Sequence, residues 1–332
     1  MLVRNVTIKE VAQAAGVSTA TISRVLNKSG YVSEDVRHRV LETVRQLNYR
    51  PNAVARNLKR ERTHCVGLIL PDMRNPYFMR LAREVQALLS VRNYHILYTD
   101  SGADAARERS AINFMLENRI EALVIAGMGK NADKLREVQD RGVPLILIDR
   151  RVNNVESDII IEDNRGAAER AVKLLVDKGH RKIGILCGPA GISTADERRE
   201  GVQAALERAG LSPADMFWYS GDFSRSSGRE AARQMHRLLE PPTAVFSANN
   251  EMTFGLYLGL KEMGQPLDFW EVASYGELEF APLFANRLAY VRQNPEALGR
   301  TAAELVLERI GGADRGIGLL EQIVLTPDIV CM

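Results

Sequence analysis

The sequence predicts an α/β protein in which a three-helix head with a helix-turn-helix precedes a two-lobed core of parallel sheets with helices on both faces. Three observations predict this fold. Residues 7–27 have the spacing of two short capped helices joined by a tight turn. From residue 65 onward, continuous apolar runs alternate with amphipathic stretches, which is typical of parallel strands covered on both faces. A chain of 332 residues is also too long for one small core.

The first 27 residues carry the start and stop signals of two helices. Thr7 and Glu10 have the spacing of a capping box, which satisfies free N–H groups at a helix start. Gly16 permits the left-handed turn that ends the first helix, and Ser18 is suited to cap the second. The apolar positions form one face on each helix, at Ile8, Val11, Ala12 and Ala15 and at Ile22, Val25 and Leu26.

The second helix leaves small side chains and one arginine on or beside its open face, namely Thr19, Ala20, Ser23, Arg24 and Asn27. An arginine can hydrogen-bond two acceptors on a guanine edge. This layout predicts a helix-turn-helix that reads the major groove of DNA. An ordinary pair of packed helices is the alternative that these residues alone leave open.

A third helix and a basic segment complete the head. Ser33 is expected to cap the third helix, whose apolar stripe consists of Val36, Val40, Val44 and Leu47. Pro51 ends this helix, because the residue before proline disfavours the α region. Residues 51–62 are then either a basic linker or a hinge helix that forms only when DNA holds it. In the second case Leu58 is an apolar wedge for the minor groove.

Basic residues are concentrated at the amino-terminal end. Residues 1–62 carry 12 Lys or Arg and five Asp or Glu, a net charge of +7, whereas the other 270 residues carry 32 and 37, a net charge of −5. A basic head on a mildly acidic body fits a polyanion-binding module attached to a second function. A solvated basic surface is the alternative that charge alone leaves open.

The sequence lacks the motifs that are typical of several functional classes. The three cysteines lie far apart with no CxxC pair, which argues against a disulfide framework or a zinc site. No nucleophile elbow or paired-carboxylate motif appears, and residues 126–130 lack the Gly-Lys-Ser/Thr ending of a phosphate loop, so we expect no enzyme. The first residues already build a capped helix, and no apolar run approaches the roughly 18 residues that span a bilayer. We therefore expect a cytosolic protein without a membrane partner, a metal or a cofactor.

Polar and aromatic side chains follow the predicted strands of the core. Ligands of parallel sheets bind at the carboxyl ends of the strands, and this mixture of groups suits a small polyhydroxylated ligand. Taken singly, each position is also compatible with an ordinary cap or loop residue, so the prediction depends on their shared location. The positions are Asp72, Asn75, Pro76, Tyr77, Phe78, Asp149, Arg150, Thr194, Arg198, Asp222, Phe223, Asn249 and Gln293.

Residues 7–58 resemble the head of the LacI/GalR family of bacterial transcription regulators. The matching motifs are GVSTATISRVLN (16–27), YVSE (31–34) and NYRPNAVARNL (48–58). The resemblance implies that Thr19, Ala20 and Arg24 read bases and that Ala55 and Leu58 enter the minor groove. It also implies that seven residues lie at or near phosphates: Thr7, Ser18, Thr21, Ser23, Asn27, Tyr31 and Tyr49.

The resemblance continues over the core and implies a periplasmic-binding-protein-like fold of two lobes joined by three crossovers. The implied domains are a head (1–50), a hinge (51–62) and a core (63–332), with lobe one at about 63–162 and 292–321 and lobe two at about 163–291 and 322–332. The motifs GPAGISTADERREG (188–201), LILIDR (145–150), GDFS (221–224) and VRQNPEALG (291–299) carry the match. The effector-binding candidates are Asp72, Tyr77, Phe78, Asp149, Thr194, Arg198, Phe223, Asn249 and Gln293.

Two positions depart from the pattern of the family. The usual Asn-Asp pair is Asn249-Asn250, and Gly276 replaces a carboxylate that grips sugar hydroxyls in many relatives. Glu277 is the nearest substitute, one position out of register. The expected effector is therefore a sugar, a sugar acid or a sugar phosphate, with a neutral hexose the least favoured.

The resemblance implies a repressor of carbohydrate-uptake or catabolism genes that binds a palindromic operator as a homodimer under the control of a small sugar-like effector. The amphipathic stretch 77–89 is the candidate dimer face, and the absence of a heptad extension after residue 325 favours a dimer over a coiled-coil tetramer. The alternative function is a DNA-binding regulator whose core senses a protein partner or a non-sugar metabolite.

Overall fold

The computed structural model describes residues 6–49, 62–279, 281, 288–312 and 320–332. The chain divides into two compact units, one ending at Thr63 and one beginning at His64. Ala55, Leu58 and nearly all of the expected hinge lie outside the described residues, so their proposed part in minor-groove binding stays a prediction.

The described residues of the first unit form three helices, α1 (Ile8–Ala15), α2 (Thr19–Leu26) and α3 (Glu34–Gln46). Both halves of the predicted capping box form, since Thr7 Oγ1 accepts from Glu10 N and Glu10 Oε2 accepts from Thr7 N at 2.7 Å. Gly16 ends α1 at φ +64°, and Ser18 Oγ accepts from Thr21 N at 3.1 Å. These three helix signals are therefore confirmed.

The predicted side-chain cap on α3 is wrong. Ser33 occupies the N-cap position, but its hydroxyl makes no capping hydrogen bond. The first turn of α3 instead contains Glu34 and Asp35, whose negative charges stabilise the positive end of the helix dipole. One apolar cluster closes the head, with a buried centre made of Val11, Ala12, Ala15, Ile22, Val25 and Val40.

Within the described part of the second unit, the strands form two six-stranded sheets. Lobe one begins with β1 (Cys65–Leu70), α4 (Pro76–Val91), β2 (His95–Asp100), α5 (Ala105–Glu117), β3 (Ala122–Ile125), α6 (Ala132–Asp140), β4 (Leu145–Ile148) and β5 (Asp158–Glu162). Lobe two continues with α7 (Asn164–Asp177), β6 (Ile183–Cys187), α8 (Ser193–Arg208), a 3₁₀ turn (Pro213–Asp215), β7 (Phe217–Ser220), α9 (Arg225–His236), β8 (Ala244–Ser247), α10 (Asn250–Glu262), β9 (Glu271–Tyr275) and β10 (Leu288–Arg292). The last elements are α11 (Pro295–Gly311), β11 (Gln322–Leu325) and β12 (Asp328–Cys331).

The first sheet has the order β11-β5-β4-β3-β1-β2 and is entirely parallel. Its two faces bury different clusters. Side chains of α4 and α11 cover one face, where Val66, Leu68 and Leu70 point, and α5 and α6 cover the other, where Ile69 points. The second sheet has the order β12-β10-β9-β8-β6-β7 and is parallel except at β12, which pairs antiparallel with β10. Strands buried on both faces explain the continuous apolar runs of the sequence.

The last crossover corrects the expected lobe boundary. The sequence prediction placed residues 322–332 in lobe two, but β11 pairs with β5 in lobe one, with Gln322 opposite Ile159. The chain crosses at residues 326–327, and only β12 joins lobe two. A short apolar strand carries no local signal for which of two sheet edges it will extend, so pairing alone decides its lobe.

Candidate functional site

The head presents the three predicted base-reading residues to solvent. Thr19, Ala20 and Arg24 are exposed on α2, opposite the buried Ile22 and Val25. Small side chains beside one arginine leave a surface that a major groove can approach closely.

Several of the predicted phosphate contacts already have partners inside the head. Ser18 Oγ lies 2.9 Å from Thr21 Oγ1, and Asn27 Nδ2 donates to Ser23 Oγ at 3.1 Å. Tyr31 is 93% exposed, whereas Tyr49 packs partly against the apolar cluster of the head. The structure thus orders the side chains of this surface, and their roles on DNA stay predictions.

A cleft of about 460 Å³ lies between the two lobes of the core. All nine effector-binding candidates line it: Asp72, Tyr77, Phe78, Asp149, Thr194, Arg198, Phe223, Asn249 and Gln293. Its lining also includes residues outside that set, among them Arg74, Asn75, Met128, Lys130, Arg150, Asp222, Ser224 and Asn250. The volume is within the range of about 300–1,000 Å³ that is typical of small-molecule sites.

Asp149 is held in place by lobe one. It follows β4 with φ +62°, a left-handed conformation that is uncommon outside glycine. Its Oδ1 accepts from the Tyr77 hydroxyl at 2.8 Å. Burial, reinforced by the negative charge of Asp149, holds the pKa of Tyr77 well above its usual value, so this hydroxyl remains a donor.

Arg150 is a buried cation at the floor of the cleft. Its Nε lies 3.4 Å from Asp149 Oδ2 without hydrogen-bond geometry, and its Nη1 contacts Met128 Sδ at 3.4 Å. The guanidinium carbon is 6.0 Å from the ring centres of both Phe78 and Phe223. Burial lowers the pKa of this arginine from its usual value, while the charge of Asp149 opposes that shift.

Arg198 is positioned by lobe two. Its Nε donates to Asn164 Oδ1 at 2.8 Å and its Nη1 to the carbonyl of Ala248 at 2.7 Å. The guanidinium stacks 3.5 Å above the ring of Tyr275, a close cation–π contact. Nη2 has no hydrogen-bond partner among the described residues.

Phe223 is an aromatic wall of the cleft in a strained conformation, with φ +67°. Asn249 Nδ2 donates to the Phe223 carbonyl at 3.0 Å, and Asn249 Oδ1 caps α10 by accepting from Met252 N. A Cβ on Gly188 would lie 2.1 Å from the Phe223 ring. The ring therefore depends on Gly188 for its space.

A buried carboxylate connects two of the lobe crossovers. Glu162 ends β5, and its Oε2 accepts from Gln293 Nε2 at 2.7 Å, while its Oε1 accepts from Asn294 N at 2.9 Å. Burial raises the pKa of Glu162, and the hydrogen bond from Gln293 opposes that rise. The cleft residue Gln293 is thus tied directly to the segment at which the lobes meet. Sequence reasoning missed Glu162, because its partners lie about 130 residues away.

Asn75 and Asn250 form a reciprocal amide pair between the lobes. Asn75 Nδ2 donates to Asn250 Oδ1 at 3.2 Å, and Asn250 Nδ2 donates to Asn75 Oδ1 at 3.0 Å. Asn75 also caps α4 by accepting from Tyr77 N. The asparagine that replaces the usual family aspartate is therefore engaged in a contact between the lobes.

Glu277 does not replace the carboxylate that Gly276 lacks. Its Oε2 lies 3.2 Å from Arg80 Nη1, and it is absent from the cleft lining. Gly276 adopts φ +96°, and a Cβ there would meet Gln293 Oε1 at 3.1 Å. A side chain at this position would be strained by the backbone and would crowd Gln293.

The loop after β3 is anchored from below. Glu108 Oε2 accepts from Met128 N at 2.7 Å, and its Oε1 accepts from Asn131 Nδ2 at 2.8 Å. This buried acid fixes a loop that presents Met128 and Lys130 to the cleft. A lone glutamate within the amphipathic pattern of α5 offered no sequence signal for that role.

The described part of the chain contains neither a helix long and apolar enough to cross a bilayer nor a group of three potential metal ligands.

Comparisons with known proteins agree with the geometry. Residues 7–52 match the family of bacterial regulatory proteins of the LacI type, and residues 63–320 match the periplasmic binding proteins and sugar-binding domain of that family. The ribose operon repressor of Escherichia coli strain K12 is 32% identical over 308 residues, covering 92% of this chain and 93% of its own. The repressor PurR of Haemophilus influenzae strain PittEE is 31% identical over 327 residues, covering 98% and 97%.

A solved structure shares the whole architecture. A LacI-family transcriptional regulator from Silicibacter pomeroyi superposes with a TM-score of 0.81 at 26% identity, covering 98% of each chain. The predicted fold class, a helix-turn-helix head on a two-lobed α/β core, is thereby confirmed. By both of its matching regions and by its relatives, the chain belongs to the LacI family of bacterial regulatory proteins.

Proposed function

We propose that this LacI-family regulator is a repressor of carbohydrate genes that binds a palindromic operator as a homodimer and responds to a small polyhydroxylated ligand between its lobes. One observation carries the proposal. Nine side chains chosen from the sequence line a single cleft, although they come from both lobes and from separate strand ends. The similarity to a ribose operon repressor supports a carbohydrate signal.

The cleft offers the groups that a sugar-like ligand requires. Arg198 and Arg150 supply donors, and Asp149 supplies acceptor oxygens. Phe78 and Phe223 supply apolar ring faces against which a sugar ring can lie. A purely apolar pocket would offer no hydrogen-bond donors to sugar hydroxyls, and a purely charged pocket would offer no aromatic face to the sugar ring.

Ligand control would act through the geometry of the lobes. A ligand that contacts both lobes stabilises one relative position of them, and only this difference in affinity can shift the equilibrium. Gln293 and Glu162 connect the cleft directly to the crossovers. The signal would continue along the chain into residues 51–62, where a marginal helix forms or fails to form on DNA.

The DNA-binding half of the proposal is tested by selecting operators from random duplex DNA with the full-length chain. We expect a palindromic site, a strong decrease in affinity with salt, and a shifted complex of two chains per site. Failure to enrich any sequence, or binding as a monomer to single half-sites, would contradict the proposal.

The ligand half is tested by thermal unfolding against a panel of sugars, sugar acids, sugar phosphates and non-sugar metabolites. A ligand present at about 100 times its Kd should stabilise the fold by about 2.7 kcal/mol. Arg198→Ala should abolish that shift and the ligand's effect on the operator, while leaving operator binding intact. The matched control is Arg208→Ala, an exposed arginine on the same helix, which should keep both responses. A response of the Arg198→Ala variant equal to that of the wild type would place the ligand elsewhere.

The proposal assigns the chain a regulatory role in the bacterial cytoplasm, where its operator lies, and no catalytic step. A protein partner that raises the unfolding temperature, together with no effect from any metabolite, would favour the alternative of a protein-sensing core.

A further inference from the structure

We propose that the ligand of the cleft carries an anionic group, a carboxylate or a phosphate, and that Arg150 binds this group and selects for it. The inference rests on the proposed function, because it concerns the same ligand. It goes further in committing to the charge of the ligand and to the residue that recognises it.

Arg150 has hydrogen-bonding capacity that the protein does not use. Its side chain is 7% exposed, yet among the described residues no oxygen accepts a hydrogen bond from its guanidinium. A sulfur contact from Met128 and an ion contact with Asp149 are its polar neighbours. A buried guanidinium without oxygen acceptors is costly, since it has lost its water. An oxygen-rich anion in the cleft would supply the missing acceptors.

The carboxylates of the cleft are already engaged. Asp72 accepts from Arg74 Nε at 3.0 Å and Nη2 at 3.3 Å. Asp149 accepts from Tyr77, and Asp222 accepts from Ser224 N at 3.0 Å. The two acids beneath the floor, Glu108 and Glu162, each accept two hydrogen bonds from amide groups of the protein.

Positions 250, 276 and 277 place no carboxylate in the cleft. Position 276 is a glycine whose backbone disfavours a side chain, and position 250 is an amide paired with Asn75. Glu277 turns to Arg80 outside the cleft. Asp72, Asp149 and Asp222 are therefore the carboxylates that line the cleft.

Two further cations have unused donors on the same cleft. Arg198 has a free Nη2, and Lys130 has no carboxylate within ion-pair distance among the described residues. Four cationic and three anionic side chains line the cleft in total. The cleft lining therefore carries one more cationic than anionic side chain, and this excess of positive charge favours an anion.

The surroundings of Arg150 suit a planar, two-pronged contact. The ring centres of Phe78 and Phe223 each lie 6.0 Å from its guanidinium carbon. Its planar guanidinium can present two parallel N–H donors to the two oxygens of a carboxylate or phosphate. A lysine would supply the charge without the fork.

The first test uses inorganic phosphate and the full-length chain. Thermal unfolding is measured in phosphate and in chloride at equal ionic strength. We expect a saturable stabilisation by phosphate that Arg150→Gln weakens on the order of 10- to 100-fold. Arg150→Lys should retain part of it. Arg141→Gln is the matched control, because it removes the same charge from an exposed arginine of lobe one outside the cleft lining, and it should respond as the wild type does.

The second test identifies the source of the anion with matched pairs: gluconate and glucose, and ribose 5-phosphate and ribose. The anionic member of a pair should stabilise the wild type more than its neutral parent, and Arg150→Gln should remove the difference. If the sugar acid raises the unfolding temperature more than the sugar phosphate does, the anionic group of the ligand is a carboxylate. The reverse result identifies a phosphate. A neutral sugar that binds as well as its anionic form, or no response to any anion, would overturn the proposal.

The failure of this inference is distinguishable from the failure of the proposed function. If a neutral sugar releases the operator and Arg150→Gln changes nothing, the proposed function stands and the inference is wrong. If anions bind through Arg150 but leave operator binding unchanged, the inference stands and ligand control is wrong.

Discussion

Replacing Asn250 by alanine should loosen the contact between the lobes in a measurable way. The change removes both hydrogen bonds of the amide pair with Asn75, at 3.0 and 3.2 Å. The helix beneath remains capped, because the cap of α10 is Asn249 and alanine favours a helix. Any loss is therefore assigned to the contact between the lobes and not to a frayed helix.

The magnitude follows from the two bonds. Each contributes about 0.5–1.5 kcal/mol net in a partly buried position, so the pair contributes about 1–3 kcal/mol. That range corresponds to a change of about 5- to 150-fold in the equilibrium between this arrangement of the lobes and a more open one. If the core unfolds as one unit, the unfolding temperature should fall by about 2–4 °C per kcal/mol.

The assay combines thermal unfolding with hydrogen exchange of the first turns of α4 and α10. We expect faster exchange in both turns, although only one of them carries the substitution. Asn118→Ala is the control, since it removes an exposed asparagine that bonds only within its own segment. An Asn250→Ala variant that unfolds with the wild type and exchanges at the same rate in α4 would refute the reasoning.

Three other substitutions test separate parts of the molecule. Thr7→Ala removes the capping box with Glu10 and should cost the head about 1 kcal/mol of stability, measured as faster amide exchange in α1; equal exchange would show that the cap is dispensable. Gly188→Ala places a methyl group against the Phe223 ring and should weaken ligand binding while operator affinity is kept; unchanged ligand affinity would mean that the ring is not a wall of the site. Arg24→Ala should lose about 1–3 kcal/mol of operator affinity at one base position in competition gel shifts, whereas a uniform loss over all sequences would assign Arg24 to a phosphate.

The sequence by itself determined the head in detail. Its signals act over at most a few residues, as the capping box from Thr7 to Glu10 and the left-handed Gly16 illustrate. The prediction of a side-chain cap at Ser33 also used only local signals, and it was wrong. A residue type that favours capping was present, but whether its hydroxyl turns to the helix depends on backbone geometry that the sequence pattern does not specify.

The sequence also identified the strands that are buried on both faces, because such strands are continuous apolar runs. The edge strands β7 and β12 give a weaker sequence signal, since their side chains are only partly buried and their apolar runs are short. The sequence did not predict the lobe that β11 joins, because either sheet edge offers the same backbone hydrogen bonds to a short strand.

Only the tertiary structure decided how the cleft residues are engaged. The position of residues directly after the predicted strands indicated which side chains meet, since the carboxyl ends of parallel strands lie at one edge of the sheet. They did not predict that Asn250 pairs with Asn75 across 175 residues, that Glu277 turns to Arg80, or that Arg150 is left without an oxygen acceptor. Such pairings depend on distances between groups remote in sequence, and those distances exist only once the two lobes have folded and met.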